Sequence, residues 1–316
     1  MKERYLVTGG AGFIGSHIVV RLVKEGRAVR VLDDFSSGTK EHLSRVINKI
    51  ELIKGDIRNK RTCFKAARGI DFVLHQAALR SVPKSMGMPG LYNEVNIGGT
   101  LNMLLAAFKN KIRHFVFASS SSIYGDVENF PEKETFVPYP ISPYALTKLT
   151  GEHYCRIFSR HHGLATTSLR YFNVFGERQS LDDEYAVVVP KFISCILKNE
   201  PPPIYGTGRQ SRDFTYVGNV VDANLRALRR ANDGKGDVFN IANGKDYSIL
   251  ELVRILNRIA GKKIKPVFLA IRPGDVFKTR ADISRAQKVL GYYPSVDFEK
   301  GLRLAMDYFK QKLEQA

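Results

Sequence analysis

Short apolar runs alternate with amphipathic stretches along the first half of the chain. The apolar runs are YLVTGG, VRVLDD, IELIKGD, FVLHQAA, FVFASS and ATTSLRYF, and most of them end in Gly, Asp or Ser. Runs of this length, separated by helical segments, are typical of βαβ units, whose parallel strands are joined by right-handed crossovers. The pattern therefore predicts an α/β fold with a doubly wound parallel sheet.

The pattern becomes irregular after about Tyr171, where PPP and GTG mark loops. A helical segment, DFTYVGNVVDANLRALRRA, and a strand, VFNIANG, follow, and the remainder is mostly helical. We therefore predict two interleaved domains. Residues 1–170 plus about 213–242 form the larger one, and residues 171–212 plus about 243–316 form a smaller, discontinuous α/β domain.

The composition is that of an ordinary globular protein, with 316 residues, of which 44% are hydrophobic and 25% charged. The N-terminal MKERYLVTGG lacks the apolar core of a signal peptide, and no later apolar run is long enough to span a bilayer. We expect a cytoplasmic protein with no membrane partner. The cysteines, too far apart for a metal-binding spacing, predict no metal site; they are Cys63, Cys155 and Cys195.

The net charge of +18 would favour polyanionic partners such as RNA. The basic residues are scattered, however, with only short clusters such as Arg229–Arg230 and Lys262–Lys263. We therefore expect a solvated basic surface rather than a nucleic-acid site. A catalytically inactive nucleotide- or RNA-binding module remains the alternative of another class.

A glycine-rich segment follows the first predicted strand, with Gly9, Gly12 and Gly15 at intervals of three where a helix begins. Glycine allows the tight turn, the close approach of backbone to a pyrophosphate, and close packing of helix on sheet, while the helix N-terminus offers free N–H groups. Phe13 and Ile14 belong to the same loop, and the helix is expected from about Ser16. This spacing predicts a dinucleotide site on a Rossmann-type fold.

Acidic residues close the next two strands. Asp33 lies eighteen residues past Gly15, where a carboxylate would bind a ribose 2′-hydroxyl. Asp33 and Asp34 would repel a 2′-phosphate, and no Arg lies at that strand end, so NAD is favoured over NADP. Asp56 and Ile57, after the third strand, are candidate adenine contacts, although Gly-Asp at a strand end is also a common turn.

Tyr144 and Lys148 lie four residues apart in SPYALTKLTGEHY, so both side chains fall on one helix face. An ammonium near the phenol, together with a positive nicotinamide ring, would pull the tyrosine pKa down from about 10 and make a general base. The run Ser119–Ser122, after the strand FVFAS, could supply a hydroxyl that orients the substrate. Taken alone, YxxxK could equally be a solvated helix face.

The motifs TGGAGFIG, LDDFS, GDIR, HQAA, SSSSIYG, YALTK, RYFNVFG, RDFTYV and RPGD follow one another across the chain. In order and spacing the chain resembles, over essentially its whole length, the extended short-chain dehydrogenases/reductases of the NAD-dependent epimerase/dehydratase group. It is most similar there to UDP-sugar 4-epimerases. The runs HQAALRSVPKS and LRYFNVFGERQ resemble the branch that handles UDP-N-acetylglucosamine.

The resemblance implies roles for individual residues. Tyr144 would remove the proton of the sugar 4-hydroxyl while a hydride passes to NAD, giving a 4-keto intermediate that is reduced on its other face. Ser120 would assist, Ser121 would be a second sugar contact, and Lys148 would hold the nicotinamide ribose. Tight retention of NAD would follow. Further implied cofactor contacts are Gln76, Ala77, Ala78, Asn96 and Tyr171.

The resemblance also implies the substrate contacts. Asn173 would lie near the diphosphate, Arg212 and Arg272 would bind phosphate or ribose, and Asp275 would take a ribose hydroxyl. The remaining implied contacts are Arg80, Ser81, Val189, Tyr205 and Thr279.

Two positions bear on the choice of sugar. Thr279 matches the place where glucose-restricted 4-epimerases have a bulky Tyr, so UDP-GlcNAc and UDP-GalNAc are expected to fit, alongside UDP-glucose and UDP-galactose. Arg80 is larger than the residue expected in the N-acetyl branch and could favour a uronate carboxylate. UDP-glucose or UDP-glucuronate 4-epimerisation is therefore the alternative.

Other activities on this fold are weighed by the same resemblance. Related dehydratases carry Asp-Glu where this chain has Ser121 and Ser122, so 4,6-dehydration lacks its acid and base. A reductase or dehydratase remains an alternative that net cofactor consumption or loss of water would reveal. Helical stretches after about Leu91 and Tyr144 are expected to form a four-helix interface in a homodimer.

Overall fold

The computed structural model of the protein describes residues 2–180, 188–230, 234–271 and 276–314. Its strands, in chain order, are β1 (Arg4–Thr8), β2 (Ala28–Asp33), β3 (Ile50–Lys54), β4 (Phe72–His75), β5 (His114–Ser120), β6 (Thr166–Tyr171), β7 (Val174–Phe175), β8 (Pro203–Tyr205), β9 (Ser211–Arg212), β10 (Thr215–Tyr216), β11 (Lys235–Ile241), β12 (Tyr247–Ser248) and β13 (Val267–Leu269).

Helices lie between most of these strands. The α-helices are α1 (Phe13–Lys24), α2 (Lys60–Ala67), α3 (Val82–Gly87), α4 (Pro89–Tyr92), α5 (Gly99–Lys109), α6 (Pro143–His162), α7 (Val188–Leu197), α8 (Val217–Leu228), α9 (Ile249–Ala260), α10 (Ser284–Leu290) and α11 (Phe298–Glu314). Two 3₁₀ segments and one π-helical segment also occur, at Lys40–Lys49, Ser121–Tyr124 and Asn93–Gly98 respectively.

Seven parallel strands form the central sheet, in the order β11-β6-β5-β4-β1-β2-β3. Helices α1 and α8 cover one face, with Ile18 and Val220 in its core. Helices α2, α5 and α6 cover the other, with Met103 and Cys155 in a second core. The α/β fold with a doubly wound parallel sheet is therefore confirmed.

Helix α6 has strong signals at both ends. The Ser142 hydroxyl accepts a hydrogen bond from the Ala145 N–H, and Pro143 occupies the first helical position, where no N–H is needed. Gly163 ends the helix with a left-handed φ of 69°. These signals fix Tyr144 in the first turn, beside the carboxyl end of the sheet.

Outside the central sheet, the described strands form short two-stranded sheets. The two-stranded pairs are β7 with β10, β9 with β12, and β8 with β13. Helices α7, α9 and α11 pack around a third core that includes Phe192, Leu252 and Leu302. The sequence pattern did not reveal α7, because its run VVPKFISCIL is apolar nearly all round. Among the described residues, no helix combines the length and the apolar character needed to cross a bilayer.

Candidate functional site

A cavity of about 530 Å³ lies at the carboxyl ends of β1, β2 and β4, where the strand order reverses. Ligands of doubly wound folds bind at this switch point. The predicted site residues that line it are Gly9, Gly12, Phe13, Ile14, Gly15, Asp33, Asp34, Ile57, Gln76, Ala77, Ala78, Arg80, Tyr144, Lys148 and Tyr171.

The glycine loop is too close to its neighbours to accept side chains. A Cβ on Gly9, whose φ is 65°, would lie 2.7 Å from the Ala77 backbone nitrogen. A Cβ on Gly15 would lie 2.1 Å from the Gly9 carbonyl oxygen. Helix α1 begins at Phe13, so its free N–H groups are at the cavity wall. This loop fits the pyrophosphate of a dinucleotide.

Asp33 is buried at the end of β2 and holds the glycine loop. The backbone N–H groups of Ala11 and Phe35 donate to its two carboxylate oxygens, at 2.8 Å each. Burial raises the pKa of this carboxyl, and the two N–H groups oppose that effect. Asp34, in contrast, is exposed and lines the cavity. Two carboxylates at this strand end disfavour a 2′-phosphate, as NAD specificity requires.

Ile57 lines the cavity at the predicted adenine end, whereas Asp56 does not. The Asp56 carboxylate accepts hydrogen bonds from the backbone and side chain of Arg58. Arg58 itself reaches the cavity wall. The structure therefore places the Asp56 carboxylate in an ion pair with Arg58. It also places Arg58, a cation that the sequence analysis missed, at the cavity wall.

Tyr144 and Lys148 meet at the cavity as the helical spacing predicted. The Lys148 ammonium lies 5.9 Å from the centroid of the Tyr144 ring and donates to the Ala118 carbonyl at 2.8 Å. Ser120, at the end of β5, is hydrogen-bonded to the Tyr144 hydroxyl. The three groups thus converge where two cavity-lining elements, β5 and α6, approach each other.

In the protein alone, the pKa of Tyr144 lies above the ordinary value for tyrosine. Burial raises the pKa of Tyr144, and the Ser120 hydrogen bond and the charge of Arg80 only oppose that rise. The expected lowering required a nicotinamide ring as well as Lys148, so it stays a prediction for the protein with its cofactor bound. Burial also lowers the pKa of Lys148 to about 8. A depressed tyrosine pKa would have to come from a positive charge supplied by a bound cofactor.

Ser119 and Ser120, in the serine run after β5, make different contacts. The Ser119 hydroxyl donates to Glu152 at 2.5 Å, and Glu152 forms a buried ion pair with Arg170 at 2.8 Å. Ser119 lines the cavity, but its hydroxyl is engaged by Glu152. Ser120 accepts from the Ser122 hydroxyl at 2.9 Å and faces Tyr144. The predicted assignment of Ser120 rather than Ser119 agrees with this geometry.

Gln76 and Tyr171 form a buried polar group at one wall of the cavity. The Tyr171 hydroxyl bonds Gln76 and Asn224, with the Asn224 amide donating at 2.8 Å. Asn96, expected as a cofactor contact, does not line the cavity. Its side chain instead bonds both the N–H and the carbonyl of Leu79, at 2.8 and 3.0 Å.

The predicted diphosphate region is held by hydrogen bonds between separate segments. Asn173, with an unusual φ of 33°, donates to the Asp213 carbonyl and to the Thr279 hydroxyl, at 3.1 and 2.9 Å. Asp213 is fully buried and accepts from the N–H groups of Asn243, Gly244 and Ala281. Thr279, at 7% exposure, is buried as well, so these hydrogen bonds are largely shielded from solvent.

The other predicted substrate contacts are spread over the same region. Val189 packs its side chain in the third core, so it can offer only its backbone to a ligand. Arg212 donates to the carbonyls of Ser211 and Phe277. Apart from Arg80, none of the described contacts lines the cavity; besides these two they are Ser81, Ser120, Ser121, Asn173, Tyr205 and Thr279. Arg272 and Asp275 lie outside the described residues.

Sequence analysis missed a group of basic residues that line the cavity beside the glycine loop. These residues are Arg178, Lys312 and His42. Burial lowers the pKa of His42, and the positive charges of Arg178 and Lys312 lower it further. Phe309, one helical turn before Lys312 on α11, lines the cavity too. No motif marks these residues, because they are far apart in the chain and meet only in the fold.

Comparisons with known proteins agree with this geometry. A model of the NAD dependent epimerase/dehydratase family matches residues 5–242. A UDP-glucose 4-epimerase of Mycolicibacterium smegmatis is 36% identical over 313 residues, which cover 98% of this chain and 99% of the relative.

Two solved structures share the whole fold. A UDP-N-acetylglucosamine 4-epimerase from Methanobrevibacter ruminantium M1, in complex with UDP-N-acetylmuramic acid, is 40% identical with a TM-score of 0.93, covering 99% of this chain and 100% of that one. A UDP-glucuronic acid 4-epimerase from Bacillus cereus, in complex with UDP-glucuronic acid and NAD, is 35% identical with a TM-score of 0.90, covering 98% and 99%. The predicted family and cofactor are confirmed.

Proposed function

The chain belongs to the NAD-dependent epimerase/dehydratase family, and we propose that it is a UDP-N-acetylglucosamine 4-epimerase that also accepts UDP-glucose and UDP-galactose. The observation that carries the 4-epimerase chemistry is the approach of Ser120 to Tyr144, which lines the dinucleotide cavity together with Lys148. The residues after Ser120 are serines, not the acid pair that 4,6-dehydration needs.

Different residues of the chain bind the cofactor and transfer the proton in the proposed reaction. Gly9, Gly12 and Gly15 hold the pyrophosphate of NAD, and Lys148 holds its nicotinamide ribose. When bound, NAD supplies a hydride acceptor that can return the hydride. Tyr144 takes the proton of the sugar 4-hydroxyl and gives it back, since it is the titratable group that Ser120 orients.

Proton removal is tuned by charge near the phenol. In the protein, burial keeps Tyr144 protonated by raising its pKa, and the Arg80 charge acts in the opposite direction. A further positive charge in the cavity moves the pKa of Tyr144 down, because an opposite charge favours the phenolate. The base is therefore weak until the site is filled.

Thr279 supports the acetamido substrate. It is a small residue at the position matching a bulky tyrosine in glucose-restricted relatives, and its hydroxyl is fixed by the Asn173 amide at 2.9 Å. The similarity to a UDP-N-acetylglucosamine 4-epimerase at 40% identity also supports this choice.

The test is to incubate purified protein with UDP-GlcNAc, without added NAD, and to separate UDP-GlcNAc from UDP-GalNAc by chromatography. UDP-glucose and UDP-glucuronate are run in parallel. We expect conversion by the wild type and a rate lowered by about 10³-fold or more in Tyr144→Phe. Failure to convert either acetamido sugar would contradict the substrate proposal, and failure with every sugar would contradict the 4-epimerase proposal.

Arg80 favours UDP-glucuronate as a second candidate. Its exposed side chain lines the cavity close enough to Tyr144 to influence the phenol. A guanidinium there suits a carboxylate on the sugar. Faster conversion of UDP-glucuronate than of UDP-GlcNAc, reversed in Arg80→Ala, would support this candidate over the first.

The proposed homodimer is supported by the outer face of α6. Leu146 and Ile157, three helical turns apart, are 53% and 47% exposed. Light scattering of the purified protein should give twice the mass of one chain, and Leu146→Glu should shift the mass towards the monomer.

A further inference from the structure

The loop after β4 is held in an unusual conformation. Ser81 has a φ of 94°, in a region that residues other than glycine rarely adopt and that costs conformational energy. Its side chain caps α3 by accepting from the Lys84 N–H. Such a conformation persists only when neighbouring groups fix it.

Tyr92, at the end of α4, holds the loop in this conformation. Its side chain is 2% exposed, and its single hydroxyl hydrogen is shared between the carbonyl oxygens of Arg80 and Ser81, at 2.5 and 2.9 Å. One buried hydroxyl thus binds two consecutive peptide groups of the loop that forms part of the cavity wall.

The same side chain touches the proton-transferring tyrosine. The rings of Tyr92 and Tyr144 meet edge to face, with centroids 6.5 Å apart and planes at 90°. One turn further along, Asn96 bonds Leu79 of the same loop and donates to the Thr147 hydroxyl of α6, at 3.1 Å. The segment therefore joins the loop to α6 at two points.

We propose that Tyr92 is a positioning residue for the reaction: its hydroxyl fixes the Arg80–Ser81 backbone while its ring fixes that of Tyr144, so the guanidinium and the phenol keep a set separation. This inference rests on the proposed 4-epimerase function. The charge of Arg80 acts on Tyr144. If the loop relaxes, that charge moves and the phenol becomes harder to ionise, because a cation stabilises the phenolate less at a greater distance.

The variant Tyr92→Phe tests the proposal, because it removes the hydroxyl and keeps the ring. We expect kcat at neutral pH to fall about five- to tenfold, the scale of one lost hydrogen bond, with the KM for the UDP-sugar changed less than about twofold. The acid limb of the kcat profile should move to higher pH, so the rate recovers at alkaline pH.

Tyr292→Phe is the matched control. Tyr292 is fully buried and its hydroxyl also donates to a backbone carbonyl, that of Ala242 at 3.0 Å, but it does not line the cavity. It should lower the melting temperature without moving the pH profile. A Tyr92→Phe protein that behaves in the same way, losing stability with an unmoved acid limb, would show a merely structural role and overturn the proposal.

A second readout needs no turnover. The near-ultraviolet absorbance of tyrosinate is titrated in proteins with Tyr144 and with Tyr144→Phe, and the difference reports the ionisation of Tyr144. Introducing Tyr92→Phe into both should move that titration to higher pH. An unmoved titration overturns the positioning role even if the wild type converts UDP-sugars, whereas a moved titration in a protein inactive on every sugar places the failure in the proposed function.

Discussion

The cofactor side of the site and its proposed substrate side are built in different ways. On the cofactor side, backbone at the ends of parallel strands forms the wall, and Gly9 and Gly15 leave no space for side chains. On the substrate side, Asn173, Asp213 and Thr279 come from separate segments and are joined by side-chain hydrogen bonds. One side depends on backbone contact and the other on a polar network, so they should fail differently.

Gly15→Ala should have the largest effect, and on the cofactor side. The new Cβ would lie 2.1 Å from the Gly9 carbonyl oxygen, which cannot move without opening the loop. We expect purified protein to retain roughly tenfold less NAD or worse, with turnover reduced in parallel. NAD released by acid would be measured. Gly87→Ala is the control, because its Cβ would have no atom within 4 Å; equal NAD loss there would contradict the explanation.

The substrate side should respond to pH. Burial raises the pKa of Glu132 to about 8 and that of Asp213 to about 7, and the Asp213 charge adds to the first shift. Raised carboxyl pKa values mean that the folded state binds more protons than the unfolded state between about pH 4 and 8. The free energy of unfolding should therefore fall as pH rises through that range and level off above it.

Glu132→Gln tests this linkage. The amide cannot ionise but can still accept from the Arg280 N–H, as the carboxylate does. Denaturant unfolding at several pH values should show a smaller loss of stability from pH 5 to 8 than in the wild type. An identical slope would mean that Glu132 does not carry the effect.

Thr279→Val should have a smaller effect, confined to the substrate. It keeps the shape and removes the acceptor for the Asn173 amide, a loss of about 1 kcal/mol. The KM for the UDP-sugar should rise about fivefold while bound NAD is unchanged. Thr279→Ser, which retains the hydroxyl, should leave the KM near the wild-type value. Loss of NAD from the valine variant would break the distinction between the two sides.

Lys312→Ala should have the smallest effect. This exposed cation lines the cofactor cavity, and exposed charges contribute at most about 1 kcal/mol and are screened by salt. NAD should be retained about two- to threefold less well at low ionic strength, and the difference should vanish at high salt. Lys310→Ala, exposed on the same helix but away from the cavity, should match the wild type; a salt-independent loss would point to packing instead.

The same contrast explains what the sequence could predict. The alternation of strands and helices along the chain, the glycine loop and the pair Tyr144–Lys148 could be predicted, because they follow local rules of spacing. The structure brings the glycine loop and the Tyr144–Lys148 pair to one cavity. Helix α7 was missed because a helix buried on nearly all sides has no polar stripe.

Other parts of the site depend on packing over long distances. The Ser119 hydroxyl is engaged by Glu152, which is held by a buried ion pair between α6 and β6, and this leaves Ser120 available. The pKa of Tyr144 depends on its burial, which no spacing reports. Arg178 and Lys312 reach the cavity from segments that carry no motif. Such features need the fold before they can be recognised.

The cavity wall also has a consequence for biosynthesis. It includes Gly9 as well as Phe309 and Lys312, which follow Gly9 by 300 and 303 positions and leave the ribosome correspondingly later. The strand β11 that completes the sheet is also translated late. During synthesis the glycine loop therefore stays exposed until the residues of α11 have followed it, and a dinucleotide can be enclosed fully only when α11 has been released and has packed.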